Sequence, residues 1–276
     1  MHRFTVPGAE LAWSFSDESG PAVVQLHGLT SSRHRDRVLD LDLGRGLSGT
    51  RLLRYDARGH GHSSGRREPE DYRWPGLAED LSRLLDHWFP DEPVHGVGPS
   101  MGAATLLHAA LRAPGRFHGL TLMLPPTAWD TRTAQAGDYR RLAGFIEQHG
   151  MDRFVAASSQ MPRPPATVGT PDTVPHVSGE LLPSIYRGAA MSDLPTREQI
   201  ATLDIPTTIL AWVDDPAHPL STAEALVELM PQARLQVAHT PQDVAGWPAV
   251  LAADVERAAA TEDGAGGTTS GWMSPV

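Results

Sequence analysis

The segment Gly98-Pro99-Ser100-Met101-Gly102 places a serine between two glycines, after a short apolar run and before a helical pattern. A serine on a tight turn between a strand and a helix stands clear of the sheet, and bulky neighbours would clash there. The N-terminus of the following helix supplies free N–H groups and partial positive charge. The spacing therefore predicts that Ser100 is a nucleophile for acyl transfer. The alternative is a chance match in a glycine-rich chain.

A second candidate segment, His27-Gly28-Leu29, closes an apolar run upstream of the serine. Acyl transfer passes through an oxyanion, which needs two preorganised N–H donors. We expect one donor to be the amide of Met101, directly after the nucleophile, and the other to be the amide of Leu29. An ordinary turn with a structural histidine remains the alternative for this segment.

The elements that must position these residues follow a regular order. Strand candidates alternate with helical patterns, which predicts an α/β fold with a mostly parallel central sheet flanked by helices. The strand candidates are residues 21–26, 50–55, 93–97, 118–124, 206–213 and 234–238. Two N-terminal pieces, near 3–6 and 10–15, are expected to pair as an antiparallel hairpin at one edge of the sheet.

The middle of the chain has a different sequence pattern. Prolines crowd between residues 127 and 200, and helical patterns persist there without strand alternation. We interpret 126–200 as a helical cap inserted into a core formed by 1–125 and 201–260; an irregular surface excursion is the alternative. Residues 261–276 are rich in Gly, Thr and Ser and are expected to form a flexible tail.

Three blocks together resemble the α/β-hydrolase superfamily. They are His27-Gly28, the run Tyr55-Asp56-Ala57-Arg58-Gly59-His60-Gly61-His62-Ser63, and the G-x-S-x-G of Ser100. Their order and spacing match that superfamily, strongly over about 20–125 and moderately over 200–250. The resemblance implies the α/β-hydrolase fold. We interpret His60 and His62, which belong to the second block, as turn-forming structural residues.

The resemblance also implies where the acid of a catalytic triad should lie, after the strand that follows the cap. There the chain reads Val213-Asp214-Asp215-Pro216-Ala217-His218-Pro219. Asp215 together with Pro219 fits the D-x-x-x-P pattern of the family, and Asp214 is the rival acid. Trp212 stands where the family usually has glycine, which could alter the local backbone.

The same resemblance implies a histidine after the last strand. His239 follows residues 234–238 and is the only histidine after residue 218, so it is the expected general base. A surface loop histidine is the alternative for His239. His218 could line the pocket, although a surface position is equally consistent with the sequence.

Together these residues imply a hydrolase that cleaves a small to medium carboxylic ester or lactone through Ser100, His239 and Asp215. A carbon–carbon bond hydrolase or a cofactor-free haloperoxidase-like enzyme on the same triad stays open. So does a non-catalytic member of the fold that binds a small ligand. The chemistry requires no metal and no organic cofactor, and the partner is a small-molecule substrate.

Composition narrows the remaining function classes. The 276 residues carry a formal net charge of −10, which argues against nucleic-acid binding, because that needs a basic surface. The chain has no cysteine, so it can form neither a disulfide nor a thiolate nucleophile. The sequence has no signal-peptide pattern and no apolar run near the ~20 residues of a membrane span. We therefore expect a cytoplasmic protein; its oligomeric state is not readable.

Overall fold

A computed structural model describes residues 2–16, 19–160 and 163–265. Its centre is an eight-stranded sheet with the strand order β1-β2-β4-β3-β5-β6-β7-β8. The strands are β1 His2–Val6, β2 Ala9–Phe15, β3 Ala22–Gln25, β4 Arg51–Tyr55, β5 Val94–Pro99, β6 Phe117–Met123, β7 Thr207–Trp212 and β8 Ala233–Ala238. All six strand candidates of the sequence are therefore present, within one or two residues of their expected bounds.

The sheet is mostly parallel, as predicted. Strands β3 to β8 pair in parallel, while β1 with β2 and β2 with β4 are antiparallel. The expected N-terminal hairpin thus forms one edge. Every residue of β3, β5 and β7 is buried, as expected for parallel strands that carry helices on both faces.

Helices connect and cover these strands. They are α1 Arg33–Val38, α2 Trp74–Trp88, α3 Met101–Arg112, α4 Arg132–Ser158, α5 Leu182–Ala190, α6 Arg197–Ile200, α7 Leu220–Leu229, α8 Pro241–Ala245 and α9 Trp247–Ala265. Helix α2 shows why one face packs inward: Leu77, Leu81 and Leu84 recur at helical spacing and are buried against the sheet.

The segment between β6 and β7 contains α4, α5 and α6, and no strand among its described residues. Helix α4 is kinked at Gly150, whose φ of 81° breaks the helical geometry. A separate apolar cluster forms where α4 and α5 pack together, with Ile146, Phe154 and Ile185 at its centre. This segment occupies the region that the sequence assigns to a cap, and its independence as a domain stays a prediction.

The C-terminal helix α9 continues to Ala265, so the chain remains helical beyond residue 260, where the sequence suggested a tail. Residues 266–276 of that expected tail lie outside the described part. Over residues 2–16, 19–160 and 163–265, none of the helices combines the length and the apolar character needed to cross a membrane.

Candidate active site

Ser100 lies on a strained turn between β5 and α3. Its backbone angles are φ 52° and ψ −110°, in a region that a non-glycine residue rarely adopts. The amide of Ser100 donates a hydrogen bond to the carbonyl of Met123 on β6, at 2.9 Å. The turn is thereby held against the neighbouring strand, with the serine at the C-terminal edge of the sheet.

The glycines on both sides of this serine allow the turn to close. A Cβ atom at Gly98 would lie 3.0 Å from the Cβ of Leu26, and one at Gly102 would lie 3.1 Å from the carbonyl oxygen of His27. Both positions are tighter than ordinary side-chain contacts. The G-x-S-x-G spacing thus reflects the close approach of the turn to the end of β3.

The loop after β7 brings two further groups to Ser100. Nε2 of His218 lies 2.9 Å from Oγ of Ser100, and Nδ1 of His218 lies 2.8 Å from Oδ2 of Asp215. With its proton on Nδ1, the imidazole donates to Asp215 and offers Nε2 to accept the hydroxyl hydrogen of the serine. A serine, a histidine and an aspartate therefore form one continuous hydrogen-bonded chain.

Asp215 is surrounded by donors. Its Oδ2 also accepts a hydrogen bond of 2.7 Å from Nε1–H of Trp212, and its Oδ1 accepts one of 2.9 Å from the amide of Ala217. Burial by itself would raise the pKa of Asp215, but the hydrogen bond and charge of His218, with the two other donors, lower it to about 2. The carboxylate is therefore ionised over the whole pH range in which the protein would work.

The structure corrects the expectation for His239. This residue follows β8 but is exposed, and its backbone amide donates to the carboxylate of Asp243 at 2.9 Å. Thr240 and Asp243 form a capping box at the start of α8, which fixes the backbone of this turn. His239 is also absent from the residues that line the cavity at Ser100.

The histidine that contacts Ser100 is His218, which the sequence left undecided between pocket and surface. A usable signal was present in the spacing: His218 follows Asp215 by three residues, and its amide donates back to the Asp215 carbonyl at 3.1 Å. This single turn is enough to place both side chains on one side of the loop. The rival acid Asp214 has a φ of 59° and is exposed, so it does not reach the imidazole.

The predicted oxyanion donors lie beside Ser100. Among the described residues, neither the amide of Leu29 nor that of Met101 donates to a protein acceptor. Met101 is the first residue of α3, where backbone N–H groups have no partner within the helix. Leu29 lines the same cavity as Ser100, and a Cβ at the adjacent Gly28 would lie 3.8 Å from the Cβ of Ser100. Their role as an oxyanion hole stays a prediction.

The loop that carries Leu29 is anchored by buried polar groups. Nε2 of His27 accepts a 2.9 Å hydrogen bond from the amide of Ala57, and its Nδ1 lies 2.8 Å from the carbonyl of Gly28. Burial lowers the pKa of His27 and lowers that of the adjacent His60 to about 3. Both imidazoles are therefore neutral, and His60 bonds the carbonyl of Arg58 in the turn that the sequence predicted.

A cavity of about 330 Å³ opens onto Ser100 and His218. Its walls combine the loop after β3, helix α1, the end of β7, and side chains from α4 and α5. Tyr139, Leu142 and Tyr186 contribute the apolar share from the segment between β6 and β7. Within the described ranges, no cluster of three or more His, Asp or Glu side chains is arranged to hold a metal ion.

Comparison with known proteins agrees with this architecture. A family model described as "alpha/beta hydrolase fold" matches residues 21–164, which is more than half of the chain. The chain belongs to the α/β-hydrolase family.

The individual proteins to which this chain is similar include lactonases and a hydrolase. The chain is 28% identical over 193 residues to 3-oxoadipate enol-lactonase 2 of Acinetobacter baylyi, covering 67% of this chain and 69% of that one. A solved structure of a hydrolase from Pseudomonas aeruginosa is 25% identical, with a TM-score of 0.74 over 93% of this chain and 97% of that chain. The enol-lactonase from Burkholderia xenovorans shares the fold, with a TM-score of 0.70 at 22% identity over 96% of this chain and 98% of that chain.

Proposed function

We propose that this protein is a serine hydrolase that cleaves a small to medium carboxylic ester or lactone through a covalent acyl-enzyme. One observation carries the proposal: Ser100, His218 and Asp215 form a hydrogen-bonded chain at the mouth of a cavity. The likeness to an enol-lactonase and to a solved hydrolase structure supports the same reaction class. The catalytic histidine in this proposal is His218 rather than His239.

The first half of the reaction forms the acyl-enzyme. His218 Nε2 accepts the proton of the Ser100 hydroxyl as Oγ attacks the carbonyl carbon of the substrate. The carbonyl oxygen becomes an oxyanion, which the amides of Leu29 and Met101 would stabilise. His218 then passes its proton to the departing alkoxide, and the carbon–oxygen bond of the ester breaks.

The second half restores the enzyme. A water molecule loses a proton to Nε2 of His218 and attacks the acyl carbon. The bond to Ser100 then breaks, and its Oγ recovers a proton from the imidazolium. Asp215 stays ionised throughout, orients the ring through Nδ1, and stabilises the positive charge that develops twice per turnover. A cavity of about 330 Å³ limits the acyl and alcohol parts to a small or medium size.

The test is hydrolysis of a 4-nitrophenyl ester series, from acetate to decanoate, by wild type and Ser100→Ala. We expect wild type to turn over the shorter esters and the variant to lose on the order of 10⁴- to 10⁶-fold in kcat. The acyl chain length with the highest kcat then indicates the size of the acyl-binding part of the cavity. Equal rates for the two proteins would exclude Ser100 as the nucleophile. An inert wild type would narrow the choice to a specialised substrate, such as a lactone or a carbon–carbon bond, or to a ligand-binding role.

A further inference from the structure

Arg35 is a cation in the wall of the Ser100 cavity. It lies on α1, directly after the loop that carries Leu29, and lines the same cavity as Ser100 and His218. Its guanidinium makes neutral contacts: Nε donates to Oγ1 of Thr173 at 2.9 Å, and Nη1 donates to the carbonyl and hydroxyl oxygens of Thr30 at 3.3 and 3.2 Å. Among the described residues, Nη2 donates to none.

Unlike Arg35, the two neighbouring arginines on α1 form ion pairs with aspartates. Arg33 forms an ion pair of 3.1 Å with Asp56, and Arg37 forms one of 3.0 Å with Asp42. No carboxylate of the described chain lies within the 4 Å ion-pair distance of the Arg35 guanidinium. Burial lowers the pKa of Arg35, but an arginine remains charged at any physiological pH. A partly desolvated cation without a counter-ion is costly, which favours an anionic ligand.

The one carboxyl group among the described residues of this cavity wall, Asp36, is a weak counter-ion for Arg35. Asp36 is buried, and its Oδ1 accepts a short hydrogen bond from the hydroxyl of Ser31. Burial raises the pKa of Asp36 to about 7, so much of this carboxyl is protonated near neutral pH. The two phenols of the cavity wall, Tyr139 and Tyr186, are neutral because burial raises the pKa of each. The positive charge of Arg35 in the cavity wall is therefore at most partly compensated by Asp36.

We propose that Arg35 binds a carboxylate on the substrate, so that the ester or lactone cleaved at Ser100 is an anionic one. A guanidinium with free N–H groups is suited to a planar carboxylate, which it can bind through two parallel hydrogen bonds. This inference rests on the proposed function, since it assigns the substrate class of the same site.

The test compares two substrates of equal length. One is the mono-4-nitrophenyl ester of adipate or suberate, and the other is the same acyl chain ending in a carboxamide. We expect wild type to favour the carboxylate by at least tenfold in kcat/KM, because hydrogen bonds between charged groups are the stronger ones. Arg35→Gln should abolish this preference, and Arg35→Lys should restore part of it. Arg37→Gln, an exposed arginine of the same helix, is the matched control and should keep the wild-type ratio.

In the ester comparison, two results would overturn the proposal: no preference in wild type, or an equal loss on both substrates in Arg35→Gln. A calorimetric titration of Ser100→Ala with adipate separates this inference from the proposed function, because it needs no turnover. Adipate should bind to Ser100→Ala and at least tenfold more weakly to Ser100→Ala/Arg35→Gln. If every ester is inert but adipate binds through Arg35, the hydrolase proposal fails and the anion site stands. Equal adipate affinity in both proteins would remove the anion site.

Discussion

Oδ2 of Asp215 lies 2.8 Å from Nδ1 of His218, and only two residues separate them in the loop after β7. Their geometry is set by one backbone turn within this loop. An acid and a base taken from separate loops would depend instead on how β7 and β8 pair. The loop after β8 leads directly into α8, and the side chain of His239 in that loop is exposed.

Substitution of His218 and His239 in turn tests which of the two histidines acts as the general base. His218→Ala should lower kcat on 4-nitrophenyl esters by at least 10³-fold, since an unassisted serine hydroxyl is a weak nucleophile. His239→Ala should stay within about twofold of wild type, because surface substitutions away from structural features have small effects. A large loss of kcat in His239→Ala, together with normal kcat in His218→Ala, would show that His239 is the general base.

Substitution of the two adjacent aspartates tests the acid in the same way. Asp215→Asn keeps the size of the side chain but removes the charge that orients and stabilises the imidazole, so kcat should fall on the order of 10²- to 10⁴-fold. Asp214→Asn is the matched control, because asparagine tolerates the positive φ of this exposed position. It should retain wild-type kcat. Comparable losses in both variants would mean that the loop conformation, rather than one carboxylate, is being disturbed.

Trp212 is expected to act as a positioning residue through its hydrogen bond to Asp215. Trp212→Phe removes the Nε1–H donor and should lower kcat roughly tenfold, the scale of one hydrogen bond to a charged group. Trp247 supplies the control: it is buried, stacks on Trp212 with ring centroids 6.0 Å apart, and its Nε1 has no partner in the described part of the chain. Trp247→Phe should reduce Tm while leaving kcat close to wild type. Equal kcat losses in both would assign the effect to packing.

Asp36 should make stability depend on pH. Its pKa is about 7 in the folded protein and near 3.8 in an unfolded chain, so the folded state retains a proton that the unfolded state has released. Its stabilising contribution is complete below about pH 4 and is lost as pH rises to about 7. Asp36→Asn removes this titration.

The free energy of unfolding, from urea titrations between pH 4 and 8.5, should therefore fall more in wild type than in Asp36→Asn. By linkage the difference reaches at most roughly 4 kcal/mol, since one pKa unit corresponds to about 1.4 kcal/mol. Parallel curves for the two proteins would show that Asp36 is ionised at ordinary pKa in the fold. Activity need not be measured, so this result is independent of the proposed reaction.

The sequence by itself determined the architecture and the strained turn at Ser100. Buried parallel strands appear as short apolar runs, and the helices between them show a 3.6-residue period, so β3 to β8 could be located from local pattern. Gly98 and Gly102 mark the turn because the clash that they avoid involves the adjacent end of β3. The strands and helices are visible as local periodicity, and the glycine spacing is a local signature even though the contact behind it is with β3.

Only the tertiary structure decided which histidine meets Ser100. His218 and His239 both follow core strands. The three-residue spacing indicates that His218 can meet Asp215, but no local pattern shows which loop bends toward a serine more than a hundred residues away. The same holds for Trp212, whose indole reaches Asp215 across the turn, and for Arg35, whose lack of an ion-pair partner among the described residues is visible only once every neighbouring carboxylate has been placed. Local pattern specifies elements, whereas a site is specified by the distances between side chains from different elements, and those are set by how loops and helices pack.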